Sequence, residues 1–361
     1  MVALRTGGSD ESLAKLAADL PDAGTIRSAL HYRFAAELAI GLATDGRPEG
    51  GALLDALGPA GRTAVRDLAS GSTRAGRGRQ ARALLAAAPA PPPRRRHVAL
   101  LGPLTLREDG EPGEVPGGAT GEAPGEEVTD PDLRRERVRM LLAFLVGHRR
   151  TDRAAVTEAL WPELGEDAAA NNLRVTLNYL LRVLEPWRAA GEPPFIVRVR
   201  GPGIELVVGD HLRLDVDRFD EHLAAAARAE ESGAPLAALD HNLAAVDLYR
   251  GDFHAGGLDA DWLQVEREHY RTRFVAAATR AAQLLVGRDE TERSAALARR
   301  ALAVDPWAED AYVVLAAGAL TRGDRTSAHR VLERCEEVLA DLGVEPSETT
   351  RQLRRRVRTG V

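Results

Sequence analysis

The sequence predicts a mainly α-helical protein with a small β component. Three observations carry that prediction. Aromatic residues make up only 4% of the 361 residues, while Ala, Leu and Arg dominate, and this mix favours packed helices over sheets. Apolar residues recur at spacings of three and four along most of the chain. Two short stretches, around residues 97–110 and 195–210, alternate with a period of two instead. The length allows two or three domains.

Residues 1–92 read as a helical N-terminal module. "SLAKLAADL" and "TIRSALHYRFAAELAIGLA" have helical spacing, as does "GRQARALLAAA". "GALLDALGPAGRTAVRDLAS" predicts two short helices broken at Gly58-Pro59. "PAPPPRRR" is a stiff segment, and its residues 93–96 form a basic linker. The period then changes. "HVALLGPLTLREDG" predicts strand, Gly-Pro break, strand and turn, and the Gly-, Pro- and Glu-rich residues 111–130 predict a mobile loop.

Three helices follow, in "LRRERVRMLLAFLVGHR", "TDRAAVTEALW" and "EDAAANNLRVTLNYLLRVLEP". Thr151 or Asp152 is placed to cap the second, and Trp161-Pro162 ends it with the tryptophan packed inward. "FIVRVRGPGIELVVGD" then reads as a hairpin. Residues 97–214 are thus one domain. Residues 215–361 are helical again, in segments near 217–230, 234–250, 260–287, 291–304, 308–322, 325–340 and 346–358. "AALDHNLAAVDLYRGDF" and "AALARRALAVDPWAEDA" share a pattern, which points to a tetratricopeptide-like (TPR-like) array.

Composition removes several functions. The net charge of −6 rules out a uniformly basic nucleic-acid binder but leaves room for a local patch. The single cysteine, Cys335, forms no internal disulfide, and no metal-ligand spacing is present. No metal, cofactor or catalytic residue is therefore expected. Lys15 is the only lysine, so the P-loop Gly-Lys-Ser/Thr is missing. "SLAK" matches Ser-x-x-Lys by letters alone. Glu266, Glu268 and His269 cluster on a helix but read as a solvated face, because no nucleophile–base pair accompanies them. No apolar run is long enough for a membrane helix, and the N-terminus lacks a signal-peptide core. A cytoplasmic protein is expected, without membrane contact.

The third helix of the middle domain carries the functional signal. Leu173, Leu177, Leu180 and Leu184 form one stripe, while Asn171, Arg174, Asn178 and Arg182 gather opposite, with Val175 and Tyr179 at the edge. From Arg134 to Arg200 there are 12 arginines against 8 carboxylates, a local net of +4. Strands, three helices and a hairpin, in that order, describe a winged helix-turn-helix whose third helix enters the major groove. Arg pairs with guanine or phosphate and Asn with adenine. Thr176 lies nearer the flank, within reach of a phosphate. Arg198 and Arg200 on the wing would neutralise phosphates, and Arg149, Arg150 and Arg153 surround the turn before the second helix as candidates for backbone contacts.

"VALLGPLTL", "LLAFLVGHRRTDRAAVTEALWP", "ANNLRVTLNYLLRVLEP", "LRLDVDRFDEHLAAA", "AVDLYRGDFHAG" and "LADLGVEPSETTRQL" together resemble the SARP-type regulators of actinomycetes over about residues 97–358. The resemblance implies an OmpR-type winged helix followed by a bacterial transcriptional activator domain. It also implies double-stranded promoter DNA as ligand, often over direct repeats, with dimerisation and contact with RNA polymerase holoenzyme, at the nucleoid. This chain departs from the family pattern at Leu181, where relatives often carry a positive charge, and at Ile204 after the wing glycine. Its helices before residue 92 resemble the segment preceding this module in longer regulators, which makes a shortened relative or a fragment the expectation. The alternative is a TPR-like interaction scaffold with a weak DNA-binding module. A small-molecule effector would have room between the C-terminal helices or in the N-terminal module, though no residue pattern names one.

Overall fold

The structure is a computed structural model that describes residues 29–71, 75–109, 125–188, 192–257 and 259–359. The expected helix at "SLAKLAADL", with Lys15, lies outside the described residues. The chain divides into two compact units, residues 1–93 with 181–207, and residues 94–180 with 208–361. The segment 97–214 is thus shared between them.

In the first unit, α1 (Ala29–Thr44), α2 (Glu49–Gly71) and α3 (Ala75–Ala87) bury Ala36, Ile40, Leu54, Val65, Ala81 and Leu84 together. The α2 axis breaks at Gly58, whose φ of 60° and ψ of −153° are open to glycine and costly for other residues. The break falls where Gly58-Pro59 predicts it. The same unit holds a hairpin, β5 (Val197–Arg200) and β6 (Gly203–Leu206). Arg66 of α2 meets Glu192, ahead of β5, at 2.8 Å.

The second unit begins with β1 (Arg96–Ala99) and β2 (Thr105–Glu108). β3 (Glu126–Glu127) pairs antiparallel with β2, so the end of the expected mobile loop is strand; residues 110–124 lie outside the described residues. β7 (Leu212–Leu214) runs parallel to β1, giving the order β3-β2-β1-β7. Between β1 and β7 come α4 (Glu136–Gly147), β4 (Arg150–Asp152), α5 (Arg153–Leu160) and the start of α6 (Glu166–Leu184). Arg96 belongs to the sheet rather than to a basic linker. It is 2% exposed and holds Glu108 at 2.8 Å.

The helical array follows as α7 (Asp215–Glu231), α8 (Pro235–Leu248), α9 (Asp261–Val286), α10 (Thr291–Val304), α11 (Glu309–Thr321), α12 (Arg325–Asp341) and α13 (Glu348–Thr359). Each of α7 to α12 packs on the next, and α13 rests on α11 and α12. After α7 the chain turns tightly: Gly233 N–H donates to the Glu230 carbonyl and Ala234 N–H to that of Ala229. This paired bonding closes a helix end with glycine at positive φ.

The array is joined to the sheet by main-chain bonds. Arg250 N–H donates to Leu101 O at 2.9 Å and His254 N–H to Leu100 O at 2.7 Å, while Gly102 N–H donates to Asp252 O at 3.2 Å. Gly102 has a φ of 128°, and a Cβ there would meet that of Arg250 at 3.1 Å. The Asp215 carboxylate, at the start of α7, accepts from Leu100 N–H at 2.8 Å and Leu101 N–H at 2.9 Å. Leu100 and Leu101 are thus held from both sides.

Candidate nucleic-acid interface

α6 forms because its apolar residues fall every three or four positions, and Glu166 and Asp167 favour its positive N-terminal end. Leu173, Leu177 and Leu180 are buried. Asn171, Arg174, Val175 and Asn178 are exposed, and Val175 keeps 41% of its surface open. Arg174 Nη2 donates to Asn171 Oδ1 at 2.9 Å, so the two present their polar groups as a pair. Asp167, one turn before Asn171, adds a carboxylate to the same face; the carboxylate-free part begins at Asn171.

Two expected contacts are corrected. Thr176 is 7% exposed and belongs to the inner face, not the flank. It sits three residues after Leu173 and four before Leu180, and a β-branched threonine fills that place much as valine would. Arg149 is turned to the helical array, where its guanidinium bonds the Asp217 carboxylate of α7. Arg150 and Arg153 are exposed. Asp152 caps α5 by accepting from Ala155 N–H at 2.9 Å. Tyr179 is half-buried under Arg135, whose guanidinium lies 4.2 Å from the ring centroid. Arg135, itself held by Asp132 at 2.8 Å, is a cation the sequence reading missed. Only tertiary packing brings it to α6, and its sole signal was the arginine run before α4.

In the first unit, Arg182 is exposed and Leu181 is buried, so the family departure at Leu181 widens the apolar side of α6. The hairpin pairs Arg198 with Glu205 and Arg200 with Gly203. Arg198 leans over Phe195, 5.5 Å from the centroid, while Arg200 stands exposed at the tip. Gly201, with φ 58°, makes that tip tight. Ile204, the departure after the wing glycine, is buried.

Glu185, just past α6, anchors the hairpin's approach. Its buried carboxylate accepts from Ile196 N–H at 2.6 Å and Phe195 N–H at 3.0 Å. Burial pushes its pKa up, against the pull of these donors. Glu185→Ala leaves them unpaired and should cost about 2–3 kcal/mol in urea unfolding, with Glu185→Gln recovering part. An unchanged midpoint in Glu185→Ala would refute the anchor.

Among the described residues no group of three or more His, Cys, Asp or Glu could hold a metal ion. No described helix is long and apolar enough to cross a membrane. Burial pushes the Cys335 thiol up to about 12, which leaves little thiolate near neutral pH. Glu268 and His269 are exposed on α9.

In chain order, a small sheet, three helices and a hairpin precede a helical-repeat array, the element order of a winged helix followed by a helical domain. Residues 214–358 match the bacterial transcriptional activator domain. No curated protein sequence matches the chain. Among solved structures, Mycobacterium tuberculosis EmbR in complex with a low affinity phosphopeptide shares the fold, with a TM-score of 0.61 and 22% identity. The match covers 74% of this chain and 66% of that one.

Proposed function

We propose that the protein is a DNA-binding transcription regulator that lays the exposed face of α6 in the major groove of promoter DNA. The observation that carries this reading is the run Asn171, Arg174, Val175 and Asn178, exposed together on a helix whose other face is buried. Each residue suits a base edge: Arg for guanine, Asn for adenine, Val for the thymine methyl. Arg182, Arg198 and Arg200 serve the flanking phosphates, and Arg150, Arg153 and Arg135 add positive charge. Asp167 repels the backbone and limits non-specific affinity. The activator domain recruits RNA polymerase holoenzyme, and the protein works as a homodimer on direct repeats at the nucleoid in the cytoplasm. The match of residues 214–358 to a bacterial transcriptional activator domain supports a role in transcription activation.

A salt titration on duplex DNA tests the reading. With about four to six phosphate contacts, the logarithm of affinity should fall with that of salt at a slope of roughly −3.6 to −5.4. Absent or salt-independent binding would reject it and favour the interaction scaffold.

A further inference from the structure

The helical array carries a groove that the DNA reading does not use. α10 and α12 both pack on α11, and neither packs closely on the other. A groove of about 400 Å³ opens between them, with α11 beneath it. Tyr312, Leu315 and Ala319 of α11 form its floor, and Val331 of α12 stands beside them. Leu315 and Val331 are half-buried, so part of their apolar surface is open there. The floor positions recur every three or four residues, which aligns them along one side of α11 for about two turns, roughly 10 Å.

The rim is cationic. Arg299 of α10, Arg322 at the end of α11, and Arg330 and Arg334 of α12 line the groove, all four exposed, and no carboxylate does. Two carboxylates stand near it. Glu337 holds Arg334 at 3.1 Å. Asp324 caps α12 by accepting from Ser327 N–H at 2.9 Å and feels the charges of Arg330 and Arg322. Glu292 of α10 is about 10 Å along its helix from Arg299. Otherwise Arg330 reaches only the Ser327 hydroxyl, at 3.4 Å. The Arg299 and Arg322 side chains have neither a hydrogen bond nor an ion pair among the described residues. Positive charge is thus in excess around an apolar floor. A bare anion has no use for that floor, and a duplex is too wide to reach it between the two helices. A peptide that carries both carboxylates and apolar side chains meets both.

We propose that this groove docks a short acidic segment of a partner protein, in which carboxylates alternate with apolar side chains. The carboxylates meet Arg299, Arg322 and Arg330, and an apolar side chain rests on Leu315 and Val331. Charge-assisted hydrogen bonds select the acidic residues. The apolar contact makes the binding more than a screened attraction between surface charges. The inference stands independently of the DNA reading, because no residue of α6 or of the hairpin takes part.

Fluorescence anisotropy with the full chain tests it. The probe is a labelled, acetylated peptide Glu-Leu-Glu-Glu-Leu-Glu; one control peptide has glutamine for each glutamate, the other serine for each leucine. The probe should bind saturably, and each control at least about tenfold more weakly. The double variant Arg299→Gln/Arg322→Gln should weaken probe binding by at least about tenfold. Its urea midpoint should not move, since both side chains are exposed and unpaired. Arg356→Gln/Arg358→Gln, on exposed residues of α13 outside the groove, should leave probe binding unchanged. If the first double variant does not fold, Arg330→Gln alone decides the same question by a smaller loss. No saturable binding, equal binding of the serine control, or equal loss in the two double variants overturns the proposal. So does duplex binding that falls in Arg299→Gln/Arg322→Gln while probe binding holds, which would assign the groove to nucleic acid.

Discussion

Arg174→Ala should weaken binding to a cognate duplex by about 1–3 kcal/mol and relax the base preference at one position. The side chain is exposed in the middle of the α6 face and pre-oriented by its bond to Asn171. Its loss leaves the fold intact, because nothing buried depends on it. Asn178→Ala should act at a neighbouring position and chiefly relax specificity. Competition binding against duplexes with each base varied separates the two. If Arg174→Ala shifts all sequences equally, its contact is to phosphate. If it shifts none, α6 is not the reading element. By contrast, Leu181→Arg, which restores the charge common among relatives, places a cation at a buried site and should destabilise the fold rather than add a contact.

Asp215→Ala should produce the largest loss of stability, about 3 kcal/mol or more, since it strips the acceptor from two buried N–H groups at the join between sheet and activator domain. Its pH dependence is a second signature. Burial raises the Asp215 carboxyl from 3.8 to about 6, against the pull of the Leu101 and Leu100 N–H groups and Arg250. The folded chain then holds this proton to higher pH than the unfolded chain. Its contribution is full below about pH 4 and is lost as pH rises through 6. His254 works oppositely. It is 0% exposed, and burial lowers its pKa from 6.5 to about 4. Its contribution is full above 6.5 and is lost as pH falls through 4. The two slopes oppose each other between about pH 4 and 6. Asp215→Asn, which keeps one acceptor oxygen, should unmask the histidine, so that stability climbs from pH 4 to 6.5. Urea midpoints across that range decide. A variant with the wild-type pH profile would show that Asp215 does not titrate there.

Much of the fold is legible in the sequence because helices announce themselves locally. The turn after α7, the break at Gly58 and the hairpin around Gly201-Pro202 follow from neighbours within a few residues. The seven C-terminal helices follow apolar spacing alone. The α6 face is legible for the same reason: its buried leucines fix which residues must point away. β4 and β7 are three residues each, too short to display a period, and their existence depends on partners far along the chain.

The sequence by itself determined the order of elements, the amphipathic pattern of α6 and the C-terminal domain motifs, because periodicity and local turn chemistry are encoded within a few residues. Only the tertiary structure decided which arginines are engaged elsewhere. Arg149 is bound to Asp217, 68 positions away, and Arg96 is buried against Glu108. It alone aligned Arg107, His97 and Arg213 across three strands, since register between β1 and β7 joins residues more than a hundred positions apart. An ion pair or a strand register lowers the free energy of the folded chain through groups brought together by folding, and no local pattern records which partner a given arginine will meet.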